Sequence, residues 1–370
     1  MTDAVYLYPI SFVTGPQEVD GDAVRLGGTM AYASEFVLVM RFDGVLVERI
    51  ITTPAGMDEA IGLLPDVLAR DAAQQFANFR KVHAPLQLGN RTIRLDQPQV
   101  MGILNVTPDS FSDGGINDDP QIGRDHAAAM LEAGAAIIDI GGESTRPGAA
   151  ATFEDEEIRR VVPAVEYCAA MGAAISVDTR RAGVMEAALA AGAHMINDVS
   201  AMRYDPRTTE LIASHRCPVV LMHAPGAGED LHAGGHYKDA ASEVYDFLKL
   251  ARARAIAAGI AEERILLDPG IGFGKSLAEN LSLINALPMF HGLGSPILLG
   301  ASRKRMIGAL SNEEAADARL AGSIALAVKG IDAGVHLLRA HDVPETVQAR
   351  NVWRGLRDAA LTTFNQVAPV

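Results

Sequence analysis

Short apolar segments recur along the chain from residue 100 onward, each followed by a polar loop and then by a longer Ala-rich segment with helical spacing. These segments cover residues 100–105, 137–140, 175–178, 195–198, 219–222, 265–268, 297–301 and 335–339. Because they are apolar on both faces, they predict parallel strands that helices cover on both sides. Eight such βα units favour a (β/α)8 TIM barrel, and an open doubly wound sheet is the alternative.

Polar residues near the C-terminal ends of these segments distinguish the two folds. They are Asn105, Asp139, Asp178, Asn197, Asp198, His223, Asp268, Ser302 and Arg339. Barrel enzymes place their active sites on the face that the carboxyl ends of the strands form. The pattern therefore favours the barrel and predicts a site on that face.

Glycines at the ends of the Ala-rich segments support the same division. Gly134, Gly192, Gly259 and Gly334 each follow an alanine shortly before a predicted strand. Glycine readily ends a helix in the left-handed conformation, so we interpret these glycines as turn residues rather than ligand contacts. Pro120 suits the first turn of a helix and predicts where the first barrel helix begins.

Residues 1–95 do not follow this pattern. Two apolar runs meet at Asp43-Gly44, a pair that favours a hairpin turn. Residues 57–79 have apolar side chains at helical spacing and predict an amphipathic helix. We therefore expect a small α+β N-terminal appendage at residues 1–95, with a docking or interaction role, and a catalytic barrel at residues 96–370.

Length and charge narrow the classes of function. The 370 residues exceed what one hydrophobic core usually supports, which agrees with a barrel plus an extra segment. The chain carries 46 acidic and 32 basic side chains, a formal charge of -14. This charge repels phosphate backbones and acidic membrane surfaces, so we expect neither a nucleic-acid partner nor a membrane partner.

Cysteines and the N-terminus indicate the compartment. Cys168 and Cys217 are the two cysteines, and they have neither a metal-ligand spacing nor that of a disulfide framework. The N-terminus lacks the basic region and apolar core of a signal peptide, and no apolar run approaches the ~20 residues of a membrane span. We therefore expect a cytoplasmic protein.

The segment 101–115, MGILNVTPDSFSDGG, is the most informative in the chain. An apolar strand delivers Asn105 into a loop that is dense in oxygen donors and ends in two glycines, which suits a mobile active-site loop. Further motifs follow the later strands in order. They are GGESTRPG at 141–148, VDTR at 177–180, INDVS at 196–200, LDPGIGFGK at 267–275, GASRK at 300–304 and LRAHD at 338–342.

In this order and placement, the motifs resemble those of the dihydropteroate synthases, over about 270 residues of the barrel segment. The resemblance implies that 6-hydroxymethyl-7,8-dihydropterin diphosphate and 4-aminobenzoate condense to dihydropteroate and pyrophosphate. It also implies a Mg²⁺ ion, a homodimer and competition by sulfonamides. The appendage lies outside the part that resembles the family.

The resemblance assigns Asp178, Asn197, Asp268 and Lys304 to the pterin. The assignment is chemically reasonable, because a pterin ring presents N–H donors beside a carbonyl and ring nitrogens, and leaving such a group unpaired costs roughly 1 to 3 kcal/mol. The alternative for any one of the Asp and Asn residues is that it caps the following helix.

The remaining assignments concern the diphosphate and the amine. Arg339 and His341 match the diphosphate contacts, and the start of a helix near Val343 would add backbone donors. Asn105 matches the Mg²⁺ ligand, and Asp113 is a second candidate when its loop closes. The residues that match the 4-aminobenzoate pocket and its junction with the other substrate are Phe111, Thr145, Arg146 and Pro147.

The expected mechanism is dissociative: pyrophosphate leaves first, and the amine then attacks a delocalised pterin cation. Asp178 and Asp268 would stabilise that transient charge, and no protein nucleophile is required. The expected catalytic residues are Asp113, Arg146, Asp178, Asp268 and Lys304. Closed loops would exclude water that could capture the cation.

Two other functions and some residues stay open. A pterin-dependent methyltransferase domain would share the Asp and Asn contacts, but this chain shows no cobalamin-binding domain. A catalytically silent pterin-binding homologue would act through a partner. Arg305 and Ile271 depart from residues common in the family, and His223 is either a site residue or a structural histidine.

Overall fold

The computed structural model describes residues 3–14, 22–107, 120–144, 152–312 and 315–361. The strands are β1 (Ala4–Phe12), β2 (Val24–Arg25), β3 (Tyr32–Phe42), β4 (Val45–Thr52), β5 (Leu86–Leu88), β6 (Arg91–Ile93), β7 (Gln99–Asn105), β8 (Ile137–Gly141), β9 (Ile175–Asp178), β10 (Met195–Asp198), β11 (Val219–Met222), β12 (Ile265–Asp268), β13 (Leu298–Leu299) and β14 (Leu337–Ala340). The helices are α1 (Met57–Gly62), α2 (Asp66–Phe79), α3 (Pro120–Glu132), α4 (Glu154–Ala170), α5 (Ala182–Ala191), α6 (Thr208–His215), α7 (Ala240–Ala257), α8 (Leu277–Ala286), α9 (Arg305–Leu310), α10 (Leu320–Asp332) and α11 (Val343–Leu361).

Strands β7 to β14 form a parallel sheet of eight strands. Each strand from β7 to β12 pairs with the next along the chain, and β14 lies between β7 and β13. A parallel bridge between Leu267 and Ile297 joins β12 to the residue before β13 and closes the ring. The predicted (β/α)8 barrel is confirmed, and the open sheet is not the fold.

The ends of the barrel helices also agree with the prediction. Helix α3 begins at Pro120. Gly134, Gly192, Gly259 and Gly334 all have positive φ angles, between 80° and 115°. A side chain at these positions would be strained, so glycine there serves the turn between helix and strand.

An apolar layer fills the floor of the barrel, at the amino ends of its strands. Every barrel strand or its immediate flank contributes one residue: Met101, Ile137, Ala174, Met195, Val220, Leu266, Leu298 and Leu337. The hairpin of β5 and β6 covers this layer from below, with Leu86, Leu88, Ile93 and Leu95 packed in the same cluster. The described residues therefore close the barrel at the floor.

Residues 4–79 form the predicted α+β unit. Strand β3 pairs with β1 on one side and with β2 and β4 on the other, and the β3–β4 hairpin turns at Asp43-Gly44 as predicted. The helix predicted for residues 57–79 is divided into α1 and α2 before Pro65, because proline has no N–H for a continuous helix. Both helices pack on one face of the sheet.

The appendage packs tightly on the barrel wall and floor. The Tyr6 hydroxyl donates to Asp246 of α7 over 2.9 Å, and Arg41 pairs with the same carboxylate at 2.8 Å. On the floor side, His336 Nε2 lies 3.2 Å from the Gly27 carbonyl oxygen, immediately before β14. These contacts lie away from the carboxyl ends of the strands. The boundary at residues 95/96 stays a prediction.

Among the helices in the described ranges, none is both long and apolar enough to cross a membrane.

Candidate active site

The alternation of side chains along each strand builds the site above the apolar floor. Residues two positions beyond the floor layer also point into the barrel. They are Ile103, Asp139, Ser176, Asn197, Met222, Asp268, Gly300 and Arg339. One step higher, Asn105, Gly141 and Asp178 line the mouth. The interior thus changes from apolar to polar within two residues of each strand.

Arg339 joins two of the strands across this mouth. Its Nε donates to Asp139 Oδ2 over 2.6 Å, and its Nη2 donates to Asp178 Oδ2 over 2.7 Å. Burial opposes the guanidinium charge, but Asp139 and Asp178 outweigh it and raise the pKa of Arg339. Burial raises the pKa of the Asp178 carboxyl, although Arg339 lowers it. The Arg339 guanidinium and the Asp178 carboxylate therefore stabilise each other's charge in a desolvated part of the barrel.

Asn197 lies beside this pair. It is 3 % exposed, and its Nδ2 donates to Asp139 Oδ2 over 3.2 Å. Asp139 therefore contacts both Asn197 and Arg339. Sequence reasoning placed Asp139 at a strand end but gave it no role. The available signal was a carboxylate inside an otherwise apolar strand.

Asp268 and Lys304 form the other side of the pocket. Asp268 Oδ1 accepts from the Gly270 amide over 2.7 Å, and burial raises the pKa of the carboxyl despite this bond. Burial lowers the pKa of Lys304 to about 8, and its ammonium lies 4.3 Å from the centre of the Phe273 ring. Sequence reasoning did not single out Phe273, whose ring forms a flat wall next to Lys304.

Two glycines leave space between these groups. A Cβ on Gly300 would lie 3.7 Å from Asp268 Oδ2 and 3.9 Å from Arg339 Cδ. A Cβ on Gly141 would lie 3.5 Å from Asn105 Oδ1. Glycine at these two positions therefore keeps a Cβ from packing against Asp268, Arg339 and Asn105.

His341 lies at the rim, after β14. Its Nδ1 is 3.1 Å from Ser302 Oγ, and its backbone N–H donates to the same oxygen over 3.2 Å. Burial, together with the charges of Arg339 and Arg303, lowers the pKa of His341 to about 3. The imidazole is therefore neutral at pH 7. Helix α11 begins at Val343, as expected, so its amino end faces the rim.

Asn105 ends β7 at the mouth, with its amide oxygen toward Gly141. Within the described ranges, no three His, Cys, Asp or Glu side chains cluster as a metal site. Mg²⁺ usually takes one or two protein oxygens and completes its shell with phosphate and water. The single amide oxygen of Asn105 at the mouth is consistent with this coordination.

Five of the predicted site residues lie outside the described ranges. They are Phe111, Asp113, Thr145, Arg146 and Pro147. The described residues that the structure does bring together around the barrel mouth are Asn105, Asp178, Asn197, Asp268, Lys304, Arg339 and His341.

An ion-pair network at the rim was not anticipated from the sequence. Glu143 accepts from Arg180 Nε over 3.0 Å and from Arg181 Nη2 over 2.8 Å. Arg181 also donates to Glu157 over 2.7 Å, and Arg180 donates to the Gly228 carbonyl over 2.7 Å. The network thus ties together the segments after β8, β9 and β11.

The structure describes the surroundings of His223 and of the two cysteines. His223 is 4 % exposed, its ring packs edge-on to Phe247 at 4.7 Å, and its Nδ1 is buried without a hydrogen-bond partner among the described residues. Cys168 and Cys217 are buried, and burial raises their thiol pKa values to about 12 and about 11. Neither thiol is an activated nucleophile.

Comparison with protein families agrees with the pocket. A family model described as "Pterin binding enzyme" matches residues 101–341, which run from the third residue of β7 to the residue after β14. The fold and the pocket together define a pterin-binding TIM-barrel enzyme.

Individual relatives narrow the class. The chain is 47% identical over 262 residues to dihydropteroate synthase of Escherichia coli (strain K12), covering 70% of this chain and 92% of that one. Bacillus subtilis dihydropteroate synthase is 45% identical over 250 residues, covering 66% and 84%. The structure of Xanthomonas albilineans dihydropteroate synthase with 4-aminobenzoic acid has a TM-score of 0.70 at 46% identity, covering 78% of this chain and all of that one. The chain belongs to the dihydropteroate synthase family, whose members are transferases of folate biosynthesis.

Proposed function

We propose that this chain condenses 6-hydroxymethyl-7,8-dihydropterin diphosphate with 4-aminobenzoate and releases pyrophosphate, in tetrahydrofolate biosynthesis. The observation that carries the proposal is the set of buried carboxylates, amide and ammonium around the glycine-lined mouth of the barrel. The structures of the Xanthomonas albilineans enzyme with 4-aminobenzoic acid and with 7,8-dihydropteroate support it.

The pterin ring would lie between Asp178, Asn197, Asp268 and Lys304. The two carboxylates would accept from the amino group and the ring N–H groups, and the Lys304 ammonium would donate to the carbonyl or a ring nitrogen. Leaving one of these groups without a hydrogen-bond partner would cost roughly 1 to 3 kcal/mol, so the pocket would reject a ring with a different donor pattern.

The diphosphate would lie at the rim, against Arg339, His341 and the amino end of α11. The guanidinium attracts the anion, and backbone N–H groups at a helix start favour phosphate. Asn105, with Asp113 as a second candidate, would hold Mg²⁺ there. When bound, the ion would neutralise charge on the leaving pyrophosphate.

The amine would bind between the first two loops. Phe111 and Pro147 are proposed to cover 4-aminobenzoate, and Thr145 and Arg146 to lie where the three reacting parts meet. The proposal gives these four residues their roles because they occupy the matching positions of the family motifs. Sulfonamides, which share the aniline group, would compete for the same place.

The proposed reaction is a dissociative substitution. The bond between the exocyclic carbon and the diphosphate oxygen breaks, and pyrophosphate keeps the electron pair. Asp178 and Asp268 stabilise the positive charge that spreads through the ring. The aniline nitrogen then forms the new bond and loses a proton. The buried, unactivated cysteines agree with a route that uses no protein nucleophile.

The proposal extends to the setting of the enzyme. We propose that it acts in the cytoplasm as a homodimer. The net charge of -14 supports a freely diffusing protein without nucleic-acid partners.

The test is product formation by the purified chain. Equal amounts of dihydropteroate and pyrophosphate should form when both substrates and Mg²⁺ are present, and EDTA or Asn105→Ala should lower the rate about 10- to 100-fold. Formation of neither product by the folded protein would contradict the proposed function.

A further inference from the structure

Asp139 is a buried carboxylate that the proposed reaction does not use. It lies on β8, inside the barrel, with a relative exposure of 0 %. Both contacts of its Oδ2 are to proposed substrate ligands: Arg339 Nε at 2.6 Å and Asn197 Nδ2 at 3.2 Å. No other described side chain contacts both of these residues through hydrogen bonds.

The second oxygen of Asp139 does not add to the stability of the fold. Oδ1 is buried and has no hydrogen-bond partner among the described residues. A buried acceptor without a partner destabilises a fold, and an apolar residue at this position of a barrel strand would avoid that loss. Ser176 also has a buried polar atom without a partner, so the feature that distinguishes Asp139 is the contact of its Oδ2 with Arg339 and Asn197.

Arg339 shows what that role is. Its guanidinium is divided between Asp139 and Asp178, and both carboxylates lie within 2.7 Å of it. When a pterin ring takes the oxygens of Asp178, Arg339 loses one of its two anchors. Asp139 lies deeper in the barrel, one layer below Asp178, and keeps the other.

We propose that Asp139 is a positioning residue, which holds Arg339 at the barrel mouth while Asp178 exchanges the guanidinium for the pterin ring. This inference rests on the proposed function. Asp139 would then hold the Arg339 guanidinium at Nε alone. Its Nη2, no longer bound to Asp178, would be available at the rim, where the diphosphate would bind. Asp139 also engages one N–H of the Asn197 amide, which leaves the amide oxygen for a donor of the ring.

A double-mutant cycle tests this inference. The variants are Asp139→Asn, Arg339→Met and the double variant, and kcat/KM for dihydropterin diphosphate is measured at saturating 4-aminobenzoate. Asp139→Asn should lower kcat/KM about 10- to 100-fold, because the guanidinium is misplaced. In the Arg339→Met background, the same substitution should change kcat/KM by less than about twofold, because there is no guanidinium left to position.

Ser176→Ala is the matched control. Ser176 lies beside Asp139 in the same interior layer, on β9, and its hydroxyl is also buried without a hydrogen-bond partner among the described residues. Its kcat/KM should stay within about twofold of the wild type. Thermal unfolding of every variant monitors the fold, and Asp139→Ser replaces Asp139→Asn if the amide prevents folding.

The outcomes separate this inference from the proposed function. A wild type that makes no dihydropteroate contradicts the proposed function itself. An active wild type in which Asp139→Asn lowers kcat/KM equally with and without Arg339 contradicts only the positioning role. An Asp139→Asn or Asp139→Ser variant as active as the wild type contradicts it too.

Discussion

We expect the protonation of Lys304 to set the alkaline limit of activity. In the proposed function its ammonium donates to the pterin in the charged form, and burial lowers its pKa to about 8. We therefore expect kcat/KM for dihydropterin diphosphate to fall as the pH rises above about 8. In Lys304→Arg, the residual activity should keep its value above that pH, because a guanidinium stays protonated. Rates measured between pH 5 and 10 check this, and an unchanged alkaline limb in the variant would exclude Lys304 as its origin.

The location of single residues was predictable where a motif fell at a strand end. Asp178, Asn197 and Asp268 each end or nearly end a strand, so the barrel geometry alone brings them to the mouth. The role proposed for Asp139 was not recognised because it depends on two partners on β10 and β14, which are distant in the sequence. Phe273 was missed because an aromatic residue in a loop is most often a packing residue.

At the scale of elements, the rim network predicts a large contribution to stability. Glu143 is almost fully buried between two arginines, so Glu143→Gln removes the carboxylate that they share and leaves Arg181 with Glu157 and Arg180 with the exposed Glu229. Removing one partner of a buried ion pair costs about 3 to 5 kcal/mol. The control is Glu229→Gln, because the Glu229 carboxylate contacts Arg180 from solvent, with its side chain 62% exposed. That change should cost less than about 1 kcal/mol.

Urea unfolding measures both free energies. If Glu143→Gln is as stable as Glu229→Gln, the network does not hold the segments after β8, β9 and β11 together. The network could not be read from the sequence, because pairing Arg180 with Glu143 requires the neighbouring carboxyl ends of β8 and β9 to be in register.

Helix boundaries show the same limit of local reasoning. Apolar spacing predicted a helix across residues 57–79, and the side chains do face one sheet. The chain nevertheless breaks before Pro65, because the backbone effect of one proline overrides a favourable apolar pattern.

For the molecule as a whole, the barrel was predictable and the docking of the appendage was not. A repeated βα pattern is local information that recurs along the chain, and together with the polar residues at the strand ends it favours a closed sheet. The contact of Tyr6 with Asp246 joins residues 240 positions apart, and no spacing rule indicates it.

The floor of the barrel depends on residues outside the family match. Two shortened chains separate the hairpin of β5 and β6 from the rest of the N-terminal segment: one begins at residue 83 and keeps the hairpin, and the other begins at residue 96. The second chain lacks the four apolar side chains that cover the floor, Leu86, Leu88, Ile93 and Leu95. The burial of each contributes about 1.5 kcal/mol or more. The second chain should be less stable than the first by about 6 kcal/mol in denaturant unfolding. Equal stability of the two chains would show that the floor needs no cover.

The most direct test of the proposed synthase activity is pyrophosphate release from dihydropterin diphosphate, with and without 4-aminobenzoate, for the wild type and for Asp178→Asn. We expect release that depends on the amine in the wild type and falls at least about 100-fold in the variant, because the ring loses its carboxylate and the cation its stabilising charge. A variant that releases pyrophosphate at the wild-type rate, or a folded wild type that binds the pterin and releases none, would contradict it.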